Sequence, residues 1–302
     1  MDQEEKLVTD YEITCCSTAD LSIERLRERN IKWVPFHFHM DGKDYYDDYG
    51  QSMSLQEFYQ RERDGATPTT SQVNTDEYLK FWKPILEEGH DILHIALSSG
   101  ISGTYNSASV ATEDARESYP DRKIYIVDSL CASAGYGLLM EELCDRKDAG
   151  MGIEELRDLA ENMKMSVNHW VFTSDLTSLI RGGRVSAAAG TVANILSICP
   201  VIEVDAEGKL IVVSKVRTKK KVILEIVKKM ETLATGGTAY DGRCYISYSD
   251  CPDDAAALRE KIEERFPAEK GKVETFRIGT TIGAHTGVAT VALFFLGKER
   301  TL

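Results

Sequence analysis

Six segments of the chain gather groups that donate, accept or carry charge. Residues 68–72 read PTTSQ, so Thr69, Thr70 and Ser71 present three hydroxyls in succession. Such a run caps a helix or closes a turn, and it can equally donate to a carboxylate or phosphate. Residues 97–104, LSSGISGT, follow an apolar run and precede a helical pattern. A turn rich in Ser and Gly at that place exposes backbone N–H groups beside a helix N-terminus, which serves either as a cap or as a seat for an anion. The segment lacks the spaced Gly-Lys-Ser/Thr ending of a nucleotide loop and the Gly-x-Ser-x-Gly spacing of a nucleophile elbow. Residues 127–137, VDSLCASAGYG, repeat the order strand, polar turn, helix. Asp128 there either caps its own turn or orients a hydroxyl in a neighbouring loop.

The other three segments carry cations or imidazole. In residues 179–186, LIRGGRVS, two glycines separate Arg181 from Arg184. A helix end accounts for Arg181, because a cation suits the dipole there; it accounts for Arg184 less well. Residues 215–221, KVRTKKK, concentrate positive charge, with Thr218 as the expected N-cap of a following helix. Three lysines at a helix N-terminus oppose the dipole at roughly 0.3–1 kcal/mol each. A solvated face tolerates that cost, and an anionic partner would offset it. Residues 278–287, IGTTIGAHTG, read as a glycine-rich loop around His285. His37 and His39 share a strand face without acidic or Cys ligands close in sequence, so a metal is not expected there. Of the six histidines, His285 is the functional candidate.

These segments need elements to hold them. The first half alternates apolar runs at 11–14, 91–97 and 123–127 with helical patterns at 21–30, 55–63, 75–88, 103–118 and 132–146. That order predicts right-handed crossovers and a mostly parallel sheet. Asp20 is the expected N-cap of the first helix, and residues 33–40 read as one alternating strand followed by the turn signal Asp41-Gly42. Beyond residue 165 the strands come partly in hairpins, as at 201–204 and 210–216, with helices at 219–233 and 253–266. The fold class expected is therefore α/β in two domains. Residues 1–165 form a parallel domain that carries the Ser and Thr loops. Residues 166–302 form a mixed or antiparallel α/β domain that carries the Arg and His loops.

Bulk properties narrow the function. The 302 residues carry a net charge of −13, which excludes a general nucleic-acid binder. No run of about 18 apolar residues occurs, and the acidic start MDQEEK is no leader. Seven scattered cysteines without a Cys-x-x-Cys pair fit a reducing cytoplasm better than zinc or disulfides.

Taken in order, Ser17-Thr18-Ala19-Asp20-Leu21, Thr70-Ser71-Gln72, Ser99-Gly100-Ile101-Ser102-Gly103-Thr104-Tyr105, Val127-Asp128-Ser129, Gly182-Gly183-Arg184-Val185-Ser186, Lys215-Val216-Arg217 and Ile282-Gly283-Ala284-His285-Thr286-Gly287 resemble the DegV family over nearly the whole chain. The resemblance implies a long-chain fatty acid bound between two domains, as in the acyl-carrying subunit of bacterial fatty acid kinase. It implies no catalytic residue, no cofactor and no metal. Thr70, Ser99 and His285 would hold the carboxylate, supported by Ser71, Gly100 and Thr286. Arg184 and Arg217 would face an ATP-binding kinase subunit that forms the acyl phosphate. Transient membrane contact is compatible with this reading. The competing reading is a standalone acyl hydrolase or phosphotransferase that uses Ser99 and His285. The chain departs from the family pattern at Cys16, at Val73-Asn74 and at Val288-Ala289.

Overall fold

The computed structural model describes residues 10–186 and 198–301. The first half runs β1 (Tyr11–Cys16), α1 (Ile23–Glu28), β2 (Lys32–Val34), β3 (His37–Met40), β4 (Lys43–Tyr46), α2 (Leu55–Arg63), β5 (Thr69–Ser71), α3 (Thr75–Glu87), β6 (Asp91–Ala96), α4 (Thr104–Ser118), β7 (Ile124–Asp128), α5 (Ala134–Asp148) and α6 (Ile153–Met163). The second half continues with β8 (Val167–Thr173), α7 (Thr177–Arg181), β9 (Ile198–Val204), β10 (Leu210–Arg217), α8 (Lys219–Leu233), β11 (Cys244–Tyr248), α9 (Pro252–Arg265), β12 (Glu274–Arg277), α10 (Thr280–Thr286) and β13 (Thr290–Leu296).

The apolar runs of the first half form a parallel sheet in the order β2-β1-β6-β7. Strand order reverses at β1, which pairs with β2 on one side and β6 on the other. The loops leaving the carboxyl ends of β1 and β6 diverge at that point, where open α/β sheets receive ligands. The second sheet has the order β10-β9-β8-β13-β11-β12, antiparallel except between β11 and β12. The fold is thus α/β with a parallel sheet followed by a mixed one.

Helix α5 joins the two. Every residue from Ala134 to Glu141 is buried, as expected of a helix covered on all sides. One hydrophobic cluster runs from Ile13 and Leu93 through Leu138 and Leu139 to Val171, Ile202 and Phe294. A second, including Val201, Ile226, Leu258 and Leu293, fills the far side of the mixed sheet under α8 and α9.

Four local expectations are corrected. Residues 33–40 are two strands in different sheets, because Pro35 lacks an N–H and restricts Val34 before it; β2 ends at Val34 and β3 starts at His37. Residues 69–71 are not loop: β5 pairs antiparallel with β3, with Thr70 opposite Phe38. The cap of α1 is Ser22, which accepts from the Arg25 N–H at 3.1 Å, while Asp20 is buried with φ 51°. Thr218 precedes α8 with φ 76° and makes no side-chain cap bond.

Candidate functional site

A cavity of about 160 Å³ lies where the divergent loops of the parallel sheet meet the mixed sheet. At roughly 10–15 Å³ per water-sized group, it has room for ten or more such groups. Its apolar wall includes Ile101, Val171, Leu179, Ile202, Ile282 and Phe294. Its polar wall includes Thr70, Gln72, Ser102, Arg184, His285 and Thr286.

His285 stands on a helix rather than at a loop tip. Residues 280–286 form α10 because the N-terminal half holds its start. The Gly279 N–H donates to Asp20 Oδ1 at 2.8 Å, and the Thr280 hydroxyl donates to Asp47 Oδ1 at 2.8 Å. The Tyr59 hydroxyl adds a bond to the Ile278 carbonyl at 2.9 Å. Two carboxylates at a helix N-terminus meet its unpaired N–H groups and its positive potential. Both are buried, and burial raises both acids above the ordinary range, with Asp47 adding repulsion at Asp20. One and a half turns later, His285 Nε2 lies 2.8 Å from Thr70 Oγ1 on β5.

The loop after β6 divides its serines between two tasks. The Ser98 hydroxyl donates to the Gly208 carbonyl at 2.8 Å, and the Ser99 N–H donates to Asp128 Oδ1 at 3.0 Å. Gly100 packs on the backbone of Glu207 and Gly208 so closely that a Cβ would not fit. This half of the loop therefore docks on the turn between β9 and β10. Ser99 itself is exposed and lies outside the cavity wall. Ile101 and Ser102 turn inward and line the cavity, with the Ser102 hydroxyl accepting from the Thr104 N–H at 3.2 Å. Asp128 caps its own turn, accepting the Leu130 N–H at 3.1 Å, and what it holds in the neighbouring loop is the Ser99 backbone N–H and not a hydroxyl.

The two glycines between the arginines have separate reasons. Gly183, at φ +71°, is the left-handed residue that ends α7: its N–H bonds the Ile180 carbonyl and the Arg184 N–H bonds the Leu179 carbonyl, both at 3.0 Å. Gly182 leaves space for the His285 ring, which a Cβ would strike. The turn aims Arg184 at the cavity, where Nε donates to the Ile101 carbonyl at 3.0 Å and Nη1 to the Gly182 carbonyl at 2.5 Å. Arg217 is not brought to this group. It ends the edge strand β10, exposed, seven residues beyond the cavity-lining Leu210 and so about 23 Å along the strand. Ser71 is exposed beside Thr70, and Thr286 lines the cavity with its hydroxyl bonded to the Ile282 carbonyl at 3.0 Å.

The electrostatics suit an anion with an apolar tail. Burial, assisted by Arg184 and Arg181, lowers His285 to about 4, so its ring is neutral at pH 7. Its Nδ1 is buried without a partner. Neutral hydroxyl and imidazole donors beside a half-buried guanidinium match a carboxylate, which only accepts. Among the described residues no cluster of three His, Cys, Asp or Glu is arranged to hold a metal, and no helix is long and apolar enough to cross a membrane. Cys16 is buried near Tyr78 and His94, with its thiol pushed up to about 12 by burial. It belongs to the core under the site and not to the cavity wall. Sequence reasoning missed Ser102 and the role of Asp20 and Asp47 in holding α10. The three-residue step from Ser99 to Ser102 was visible, but which serine turns inward depends on the β9–β10 turn against which the loop packs.

The model of the DegV family, described as uncharacterised protein, matches residues 9–298. A DegV domain-containing protein of Clostridium perfringens is 34% identical over 284 residues, covering 94% of this chain and 96% of that protein. A DegV family protein of Thermus thermophilus, whose solved structure describes fatty acid binding, is 26% identical with a TM-score of 0.84, covering 96% of this chain and 100% of that one. The fatty acid kinase B3 protein of Streptococcus pneumoniae, solved loaded with linoleic acid, shares the fold at a TM-score of 0.81 and 22% identity, over 95% of this chain and 99% of that one.

Proposed function

The chain belongs to the DegV family, and from that premise we propose that it binds one long-chain fatty acid in the cavity between its sheets and presents the carboxylate to a separate ATP-dependent kinase subunit. The observation that carries this reading is the Thr70–His285 pair, 2.8 Å apart on the wall of a cavity that also presents Ile101, Val171, Leu179, Ile202, Ile282 and Phe294. Fatty acid binding by the Thermus thermophilus relative supports the ligand class. The kinase-coupled step rests on the ordered Arg-bearing motifs of the chain.

In this reading the His285 Nε2–H donates to Thr70 Oγ1, whose hydroxyl donates in turn to the carboxylate, with Ser102 supplying the hydroxyl that the loop after β6 contributes. The tail lies along Ile101, Val171, Ile202 and Phe294. Each buried methylene contributes about 0.8 kcal/mol, so the tail sets affinity and the polar group sets which end faces out. Arg184 closes the seat beside His285. Arg217, exposed on an edge strand, is free to meet the partner. The protein is a carrier and performs no chemistry alone. A hydrolase built on Ser99 and His285 would need those groups within hydrogen-bond reach, but Ser99 is turned outward and His285 Nε2 faces Thr70.

Native mass spectrometry of the purified chain, followed by organic extraction, tests the reading. One added fatty acid mass, released as the free acid, supports a carrier. An apo mass unchanged after incubation with fatty acids would remove it.

A further inference from the structure

The mixed sheet has a second face, and a groove of about 720 Å³ lies on it. Strand β8 separates this groove from the cavity, because its side chains alternate: His169 and Val171 line the cavity, while Asn168 and Trp170 line the groove. Glu203 on β9 stands directly opposite Trp170 in register, so both project from the same face. Helix α8 forms one wall, with Leu224, Lys228 and Thr232 at four-residue steps along one side and Lys229 beside them. Residues 299–301 contribute the rest. They are held by the bond from Asn168 Nδ2 to the Lys298 carbonyl and by that from the Arg300 N–H to the Met165 carbonyl, both at 2.9 Å. A volume of this size is that of a small-ligand site.

Two orphaned N–H groups belong to this groove. Trp170 is 4% exposed, and its indole Nε1–H has no partner among the described residues. Arg300 directs Nη1 to the Leu130 and Asp205 carbonyls, at 2.7 and 2.9 Å, and Nη2 to the Lys164 carbonyl at 3.0 Å, but its buried Nε–H has no partner there either. Both groups only donate, and a buried donor without an acceptor is unfavourable. What the groove lacks is therefore an acceptor oxygen. Lys228 and Lys229 add positive charge, with Lys229 Nζ 4.4 Å from the centre of the Trp170 ring, so an anion carries that oxygen best. A doubly charged phosphate is disfavoured, because Glu203 and Glu299 line the same groove. Burial raises Glu203 above the ordinary range, with Lys229 opposing the rise, and a second cation beside it would stabilise its charge further. Leu224, half exposed, and Val204 supply apolar surface.

We propose that this groove binds a small zwitterion of the amino-acid class, free or as a short peptide, with an apolar side chain. Its carboxylate, joined in a peptide by the carbonyl oxygen, accepts from the Trp170 and Arg300 N–H groups beside the Lys229 charge. Its ammonium pairs with Glu203, and its side chain lies against Leu224. The site is independent of the fatty-acid reading, since the two ligands occupy opposite faces of β8. A site that leaves buried polar groups unpaired with the wrong ligand discriminates more sharply than one that adds or removes a methylene.

Titration calorimetry on the full-length chain tests the site, together with NMR of its indole N–H signals, in which Trp170→Phe identifies the Trp170 signal among the three tryptophans. The probes are L-leucine, L-leucyl-L-leucine, isocaproic acid, which lacks the ammonium, isoamylamine, which lacks the carboxylate, and inorganic phosphate. The expected result is binding of a zwitterion with a shift of the Trp170 signal, and binding of both truncated probes weaker by about tenfold or more. The tighter of leucine and the dipeptide tells a free amino acid from a peptide. Lys229→Met and Glu203→Gln should each weaken the zwitterion about tenfold and leave fatty-acid affinity unchanged, and they keep the test decisive if Trp170→Phe folds poorly. The site is overturned if neither zwitterion binds up to about 10 mM, or if either truncated probe or phosphate binds as tightly as they do. Zwitterion affinity equal to the parent's in Lys229→Met and Glu203→Gln overturns it as well.

Discussion

Thr70 Oγ1 and His285 Nε2 meet at 2.8 Å although 215 residues separate them in the chain. The contact joins β5, an edge strand of the small antiparallel sheet β4-β3-β5, to a short helix whose start is held by Asp20 and Asp47. Because α10 is fixed at its N-terminus and carries His285 in its last turn, small changes at either buried carboxylate are felt at the imidazole.

Removing the Thr70 hydroxyl should therefore act on the ligand and not on the fold. Thr70→Val keeps a β-branched residue in β5 and loses one donor to a charged group, worth about 1.5–3 kcal/mol. Fatty acid affinity should drop roughly 10- to 100-fold, with the melting temperature within about 2 °C of the parent. Titration calorimetry with a thermal melt checks both, and an unchanged dissociation constant would reject this seat.

The two serines of the loop after β6 should separate cleanly. Ser102→Ala removes a hydroxyl that lines the cavity and should weaken binding several-fold. Ser99→Ala removes an exposed hydroxyl, while the bond to Asp128 comes from its backbone, so binding and stability should match the parent. The reverse ranking in the same titration would move the carboxylate to Ser99.

How far this was visible in the sequence differs by element. Buried runs such as DILHIA and IYIVD announced β6 and β7, since a strand covered on both faces is continuously apolar. The α10 segment did not announce itself. Its glycines at 279 and 283 read as loop, and its helicity depends on Asp20 and Asp47, more than 230 residues earlier in the chain. Thr70 was named from a hydroxyl run, but the strand that aims it exists only because β3 accepts it as a partner. Ser99 was preferred over Ser102 because the docking of Gly100 on Gly208 is tertiary and leaves no local signal.

Acid stability should report His285. The folded protein holds this ring to about 4, against about 6.5 in the unfolded chain. Between those values the unfolded state binds more protons, so the contribution is complete above pH 6.5 and is lost as pH falls through 6.5 towards 4. His94, lowered to about 3 by burial, acts in the same direction. In urea denaturation across this window, His285→Asn should reduce the slope of stability against pH by about one proton. A slope equal to the parent would show that the ring is not buried as described.

Asp20 should behave in the opposite sense. Burial first, and then the Asp47 charge, raise its acid above the ordinary range, so its contribution is present at low pH and is lost as pH rises through the folded value. Asp20→Asn retains an acceptor for the Gly279 N–H and cannot ionise. It should flatten the fall in stability that begins as pH rises above the ordinary carboxylate range, whereas Asp20→Ala should cost about 1–3 kcal/mol by leaving the Gly279 N–H unpaired. Denaturation series from that range upward distinguish the two, and equal losses in both variants would mean that the charge of Asp20 is irrelevant to α10.

Arg184 and Arg217 should have different phenotypes. Arg184 is half-buried and bonds the Ile101 carbonyl through Nε, so Arg184→Ala frees the loop that carries Ser102 and should weaken both lipid binding and acyl phosphate formation. Lys cannot reproduce the two directed bonds of the guanidinium, so Arg184→Lys should recover little. Arg217 is exposed and remote from the cavity wall, so Arg217→Ala should leave lipid binding unchanged and slow only the step with the kinase subunit. Its effect should also shrink at high salt, because contacts between exposed charges are screened. Measuring fatty acid affinity beside ATP-dependent acyl phosphate formation for both variants decides the point. Loss of lipid binding in Arg217→Ala would place that residue in the ligand's seat and not on the partner's surface.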